Sequence, residues 1–113
     1  MAAVLISDAN EILARLRLER GALDALCRAN GVVRLEVFGS AVRADFDSGT
    51  SDLDLIVRLD APTCGAYADR YFAIKEGLER MTGRAVDLLT EGSVTNPYLQ
   101  RRIDAEKVTF FAA

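Results

Sequence analysis

Apolar and polar residues along this chain of 113 residues follow a helical period first, then an extended one, and then alternate between the two. From Ile12 to Cys27 the apolar residues recur at roughly helical spacing, which predicts a helical region. Gly21 interrupts this pattern, so we expect two short helices with a kink. Asn30-Gly31 is a typical signal for the end of a helix.

The rest of the chain predicts strands that alternate with helices. Short β-branched or leucine-rich runs indicate strands, and apolar stripes at helical spacing indicate helices. The predicted order is strand, strand, helix, strand, short helix, and a final short strand or docked tail: Val32 to Phe38, Leu53 to Leu59, about 66–82, Ala85 to Thr90, Pro97 to about Asp104, and Val108 to Phe111. This order predicts an α/β or α+β fold, a single domain over 1–113 with a small mixed sheet flanked by helices.

Composition and charge exclude several classes of function. The chain has 14 Lys and Arg against 17 Asp and Glu, a net charge of −3, so a charge-driven grip on nucleic acid is not expected. It has no histidine, which excludes Ser–His and Cys–His catalytic pairs and His-liganded zinc. Cys27 and Cys64 fit no metal spacing and are interpreted as reduced thiols. No signal peptide or membrane span is evident, and we expect a cytoplasmic protein.

Three aspartates form the most informative pattern in the chain. Asp52 and Asp54 lie two residues apart at the start of the second strand, so their carboxylates share one face. Asp87 lies between apolar residues in the third strand, an unfavourable position unless it has a partner. A helical crossover makes the second and third strands parallel, which brings Asp87 near the other two. Clustered carboxylates favour Mg²⁺, and two such ions could serve phosphoryl transfer.

A second pattern, at the end of the first strand, is suited to phosphate. Gly39 allows close approach of the backbone to a ligand, and the Ser40 hydroxyl can donate to a phosphate oxygen. Arg43 is a candidate charge partner for phosphates, with a surface salt bridge as the alternative. If the first two strands are antiparallel neighbours, Gly39 and Ser40 lie beside Asp52 and Asp54. Such a cradle beside a two-metal site is what nucleotidyl transfer requires.

Two other features have structural interpretations. An apolar stripe from Tyr67 to Met81 on the long helix is interpreted as core or partner-facing packing. The adjacent Arg101 and Arg102 are interpreted as a solvated helix face.

The combined pattern resembles the minimal nucleotidyltransferase (MNT) proteins of the superfamily related to DNA polymerase beta. The resemblance covers nearly the whole chain and rests on three segments: Phe38-Gly39-Ser40-Ala41-Val42-Arg43, Ser51-Asp52-Leu53-Asp54-Leu55-Ile56-Val57 and Val86-Asp87-Leu88-Leu89-Thr90. Arg102-Ile103 with Glu106 also looks similar. Ala44 departs from the family pattern, in which Gly often follows the Arg.

The resemblance implies a site and a chemistry. Asp52 and Asp54 would bind two Mg²⁺ ions, and Asp87 would complete one metal shell and help to activate the acceptor hydroxyl. Gly39 and Ser40 would hold the triphosphate of ATP. The products would be a nucleotidylated acceptor and pyrophosphate.

The resemblance also implies a partner. MNT proteins are antitoxins paired with HEPN-domain ribonuclease toxins, and the implied reaction is AMP transfer from ATP to a tyrosine of the toxin. Because the nucleotidyltransferase core uses almost all of the chain, we expect a partner to bring the acceptor. Three alternatives stay open: an antitoxin that blocks its toxin by binding alone, a small-molecule nucleotidyltransferase of the aminoglycoside type, and a structural protein with a solvated acidic edge.

Overall fold

The computed structural model describes residues 8–39, 53–60 and 67–113. The elements in chain order are α1 (Asp8–Leu18), α2 (Arg20–Ala29), β1 (Val32–Phe38), β2 (Leu53–Leu59), α3 (Tyr67–Thr82), β3 (Val86–Thr90), α4 (Pro97–Glu106) and β4 (Val108–Ala112). The predicted fold class, a small mixed sheet flanked by helices, is confirmed. None of the helices in these ranges has the length and apolarity needed to cross a membrane.

The break in the first helical region lies two residues earlier than predicted. It falls at Glu19, whereas Gly21 is exposed within the first turn of α2. Hydrogen bonds from Glu19 N to Arg15 O and from Leu23 N to Glu19 O continue the helical pattern across the break. The backbone at Glu19 (φ −98°, ψ 28°) therefore absorbs the change of direction, and the glycine is not needed for it.

The sheet has the strand order β3-β2-β1-β4. β1 and β2 are antiparallel, and β2 and β3 are parallel, as the sequence predicts. β4 pairs antiparallel with β1, so the last segment is a strand and not a docked tail. The sheet thus places the end of β1 beside the starts of β2 and β3.

Helices cover both faces of the sheet. Leu53, Leu55 and Val57 of β2 are buried on the face that packs against α1, α2 and α3, as predicted from their alternation with polar residues. On the opposite face, Phe38 and Ile56 pack against Ile103 of α4. The even-numbered positions of β2 therefore face α4, and this decides where the site lies.

The apolar stripe of α3 is largely core, in agreement with its interpretation. Ile74 and Leu78 are fully buried, whereas Tyr71 and Met81 are partly buried against the core. The Tyr71 hydroxyl donates a hydrogen bond to the Leu88 carbonyl at 2.6 Å. This bond ties α3 directly to β3.

Candidate active site

Two of the predicted carboxylates lie side by side on β2 and the edge strand β3, which pair in parallel. Asp54 of β2 and Asp87 of β3 are direct register partners. Asp54 is half-buried and Asp87 is exposed, and both line one pocket on the α4 face of the sheet. Parallel pairing follows from the α3 crossover, so residues far apart in sequence meet at equivalent strand positions. The predicted meeting of these two acids is confirmed.

Gly39 closes the pocket from the end of β1. Its neighbour Phe38 is the register partner of Asp54 in the antiparallel pair. Gly39 is buried, has a φ of +78°, and a Cβ added to it would lie 3.2 Å from the Cβ and Cγ of Asp54. Glycine is thus required twice, for the left-handed backbone and for the close approach to a carboxylate. The predicted position of Gly39 beside Asp54 is confirmed.

Helix α4 forms the facing wall of the pocket. Leu99, Arg102 and Glu106 lie on one face of the helix at spacings of three and four residues, and all three line the pocket. The backbone N–H of Gly39 donates a hydrogen bond to Oε1 of Glu106 at 3.3 Å. Asn96 begins the helix, with its side chain accepting hydrogen bonds from the N–H groups of residues 98 and 99. Asn96 therefore caps the start of α4, and the hydrogen bond to Glu106 fixes the end of the helix against the turn at Gly39.

The pocket has a volume of about 280 Å³. The described residues that line it include both apolar and ionic side chains: Phe38, Gly39, Asp54, Asp87, Leu89, Leu99, Arg102 and Glu106. Three carboxylates and one guanidinium therefore face a shared space with apolar walls. Ionic groups in such a setting act more strongly on a bound ligand than they would in open water.

Three predicted site residues lie outside the described ranges. These are Ser40, Arg43 and Asp52, for which the sequence predictions stand as predictions. Asp52 is one residue before β2, two residues before Asp54. The described part of the predicted site therefore consists of Gly39, Asp54 and Asp87.

The donor chemistry of the described acids suits a hard divalent cation. Asp54 and Asp87 supply carboxylate oxygens from adjacent strands to one pocket, which is the ligand type that Mg²⁺ takes from proteins. Within residues 8–39, 53–60 and 67–113, no cluster of three or more potential ligands is close enough to hold an ion by itself. The two acids thus fit a site that shares its ion with substrate phosphates.

Two residues of α4 were not predicted as site residues. In the sequence, Glu106 belongs only to a segment that resembles the MNT family, and Arg102 is interpreted as a solvated position. The interpretation is confirmed for both arginines, which are exposed; the guanidinium of Arg101 lies 5.2 Å from the ring of Tyr98, whereas Arg102 in addition lines the pocket. The spacing of Arg102 and Glu106 around buried Ile103 was the available signal, yet it does not say which face of the sheet the helix covers.

Comparison with known proteins gives matches along most of the chain. The family model of the nucleotidyltransferase domain matches residues 19–109. A protein of Methanocaldococcus jannaschii proposed to be a protein adenylyltransferase is 31% identical over 77 residues, which are 68% of this chain and 75% of that protein. The residues matched by the family model include all of the described site.

Solved structures repeat the same architecture. One, of a protein proposed to be a minimal nucleotidyltransferase, is 33% identical with a TM-score of 0.67, covering 85% of this chain and 93% of that one. Another is a complex of a tri-AMPylated Shewanella oneidensis HEPN toxin with an MNT antitoxin. Its matching chain is 17% identical with a TM-score of 0.57, covering 87% of this chain and 73% of that one. At that identity the second likeness concerns the fold alone.

Proposed function

Because this chain belongs to the nucleotidyltransferase domain family, we propose that it transfers AMP from ATP to a tyrosine hydroxyl of a partner HEPN ribonuclease toxin, with Mg²⁺. The observation that carries the proposal is the register pair of Asp54 and Asp87 beside the tight turn at Gly39, within one pocket. Carboxylates next to a backbone that can approach phosphate closely are the two requirements of nucleotidyl transfer.

The proposed reaction forms one bond and breaks one bond. The acceptor oxygen attacks the α-phosphorus of ATP, the bond between that phosphorus and the oxygen bridging to the β-phosphate breaks, and pyrophosphate leaves. Asp87 is exposed at the pocket and is the proposed acceptor of the tyrosine proton. A bound Mg²⁺ would neutralise phosphate charge as the leaving group departs. Asp54 and Asp87, with Asp52 just before β2 in sequence, would hold the Mg²⁺.

The turn at Gly39 has a separate role in the proposal. Its positive φ and its closeness to Asp54 leave room for phosphate where a side chain would otherwise lie. Ser40, the next residue in sequence, would donate its hydroxyl to the same phosphate. The turn would thus orient the triphosphate so that the α-phosphorus faces Asp87.

The choice of partner is supported by the likeness to the HEPN–MNT complex, in which the toxin is AMPylated. The exposure of Asp87 also favours a protein acceptor, because a tyrosine on another protein can reach an exposed carboxylate without entering a deep cavity. We therefore propose that this chain is the antitoxin of a toxin–antitoxin pair and silences its toxin by modification.

The deciding experiment is intact-mass spectrometry of a candidate HEPN partner after incubation with this chain, ATP and Mg²⁺. We expect mass increments of AMP on a partner tyrosine, and none with the double variant Asp52→Ala/Asp54→Ala, with Asp87→Asn, or with excess EDTA. Asp69→Asn is the matched control, since Asp69 is an exposed carboxylate at the start of α3, outside the pocket.

Other outcomes would contradict the proposal in distinct ways. An unmodified partner that still copurifies and is still neutralised would indicate an antitoxin that acts by binding. Transfer to a small hydroxyl compound with no partner present would indicate a small-molecule nucleotidyltransferase. Equal modification by wild type and the Asp52/Asp54 double variant would remove these carboxylates from the mechanism.

A further inference from the structure

Arg102 is a cation placed in an otherwise acidic pocket. It shares the pocket with the carboxylates of Asp54, Asp87 and Glu106, and no other described residue lining it is positively charged. None of the ion pairs between described residues includes Arg102. Within the described part of the chain its guanidinium thus has no ion-pair partner, whereas that of its neighbour Arg101 stacks on Tyr98.

Helix geometry fixes the side of the pocket on which Arg102 lies. Arg102 precedes Glu106 by four residues, so the two side chains project from the same face of α4. Glu106 contacts the N–H of Gly39, which places this face of the helix opposite the end of β1. Buried Ile103 packs against Phe38 and Ile56 and holds the helix in that orientation. Arg102 thus belongs to a wall whose position is set by core packing.

The charges of the pocket favour a phosphate-binding role for Arg102. Three carboxylates repel a nucleoside triphosphate, and a cation bound between two of them offsets only part of that repulsion. An arginine presents several N–H donors in one plane, which match the oxygens of phosphate groups. A nucleotide carries most of its charge on the β- and γ-phosphates, so a free guanidinium gains most by contacting them.

We propose that Arg102 binds the β- and γ-phosphates of the nucleoside triphosphate, the part that leaves as pyrophosphate. This inference rests on the proposed function for its ligand class. It assigns to α4 a direct part in substrate binding. The expected signature is a loss of affinity that grows with the number of phosphates, since a contact beyond the α-phosphate does not exist in AMP.

The test measures binding by calorimetry with Mg²⁺ and two nucleotides, α,β-methylene-ATP, which cannot be cleaved between the α- and β-phosphates, and AMP. We expect Arg102→Ala to weaken binding of the triphosphate by about tenfold to a hundredfold, the range of a charge-assisted hydrogen bond, and to change AMP affinity by less than about twofold. Arg102→Lys should fall between wild type and Arg102→Ala. Arg101→Ala is the matched control and should bind both nucleotides as wild type does.

Folding is monitored separately. Because Arg102 is exposed, the thermal midpoint of Arg102→Ala should stay within about 2 °C of wild type. An equal loss for ATP analogue and AMP, or a loss no larger than that of Arg101→Ala, would overturn the assignment. Wild-type protein that binds no triphosphate would overturn it together with the proposed function. If triphosphate binding depends on Arg102 but no AMP is transferred to a HEPN partner, the role of Arg102 would be supported and only the proposed acceptor would be rejected.

Discussion

The N–H of Gly39 donates to Oε1 of Glu106, 67 residues further along the chain, at 3.3 Å. The bond joins the turn after β1 to the last residue of α4, and both groups line the candidate active site. We interpret Glu106 as a positioning residue, because it accepts from the backbone of a turn with a φ of +78° and so restrains the shape that the turn presents to phosphate.

Replacing Glu106 tests this role. We expect Glu106→Ala to lower kcat/KM for AMP transfer about fivefold to tenfold, which is the rate factor that corresponds to the free energy of one hydrogen bond. Glu106→Gln keeps an acceptor oxygen and should stay within about twofold of wild type. Asp104→Asn on the exposed side of α4 is the control and should leave the rate unchanged. If the Gln and Ala variants lose the same activity, the charge of Glu106 matters and not its hydrogen bond.

Gly39→Ala should damage both folding and activity. An alanine Cβ at this position would meet Asp54, and the residue would also have to keep a positive φ. At Gly83 (φ +65°) a Cβ meets nothing within 4 Å. Gly83→Ala therefore isolates the backbone strain, which we expect to cost about 1 kcal/mol with unchanged transfer. Gly39→Ala should lower the free energy of unfolding further and abolish most transfer. Urea unfolding and initial rates check this, and equal stability losses in the two variants would contradict it.

Glu79 links α3 to the strand that carries Asp87. Its Oε2 accepts hydrogen bonds from Val86 N at 3.0 Å and from Lys75 Nζ at 2.9 Å. The N–H of Val86 and, secondly, the ammonium of Lys75 hold the pKa of Glu79 below its ordinary value. The hydrogen bond to Glu79 in turn raises the pKa of Lys75.

The sign of the pH dependence follows from these directions. A carboxylate whose pKa is lowered by folding stabilises the protein above its unfolded-state pKa, and this stabilisation disappears as the pH falls through the folded-state value. We expect Glu79→Ala to have a lower urea midpoint than wild type at about pH 7, and the difference to shrink at about pH 3. Glu76→Gln, an exposed change on the same helix, is the control. A difference that persists at the acidic pH would contradict the contribution of ionised Glu79.

Cys27 should be unreactive in the folded protein. Burial, and secondly the carboxylate of Asp24, raises the pKa of its thiol from 9.0 to about 12. In a Cys64→Ser background, we expect thiol labelling of native protein at about pH 8 to be slower than in urea by at least about a hundredfold. Because the unfolded thiol ionises first, stability should also fall as the pH rises from the ordinary pKa towards 12. Equally fast labelling with and without urea would contradict this environment.

The strands and the meeting of two acids could be predicted because they depend on local patterns. Alternation of apolar and polar residues marks β2 and places Leu53 and Asp54 on opposite faces, whatever packs against them. The α3 crossover then restricts β3 to parallel pairing, which brings Asp87 beside Asp54. By contrast, the helix break at Glu19 could not be located, because a break across which helical hydrogen bonds continue needs no special residue.

The sequence by itself determined the strand pattern, the neighbouring acids and the glycine turn, since each follows from short-range periodicity and from one crossover rule. Only the tertiary structure decided that α4 covers the acidic face of the sheet. That choice depends on Ile103 packing against Phe38 and Ile56, contacts between residues far apart in the chain that no local pattern contains. The same packing turns Arg102 and Glu106 into the pocket and leaves Arg101 outside it, because neighbouring residues on a helix point in different directions.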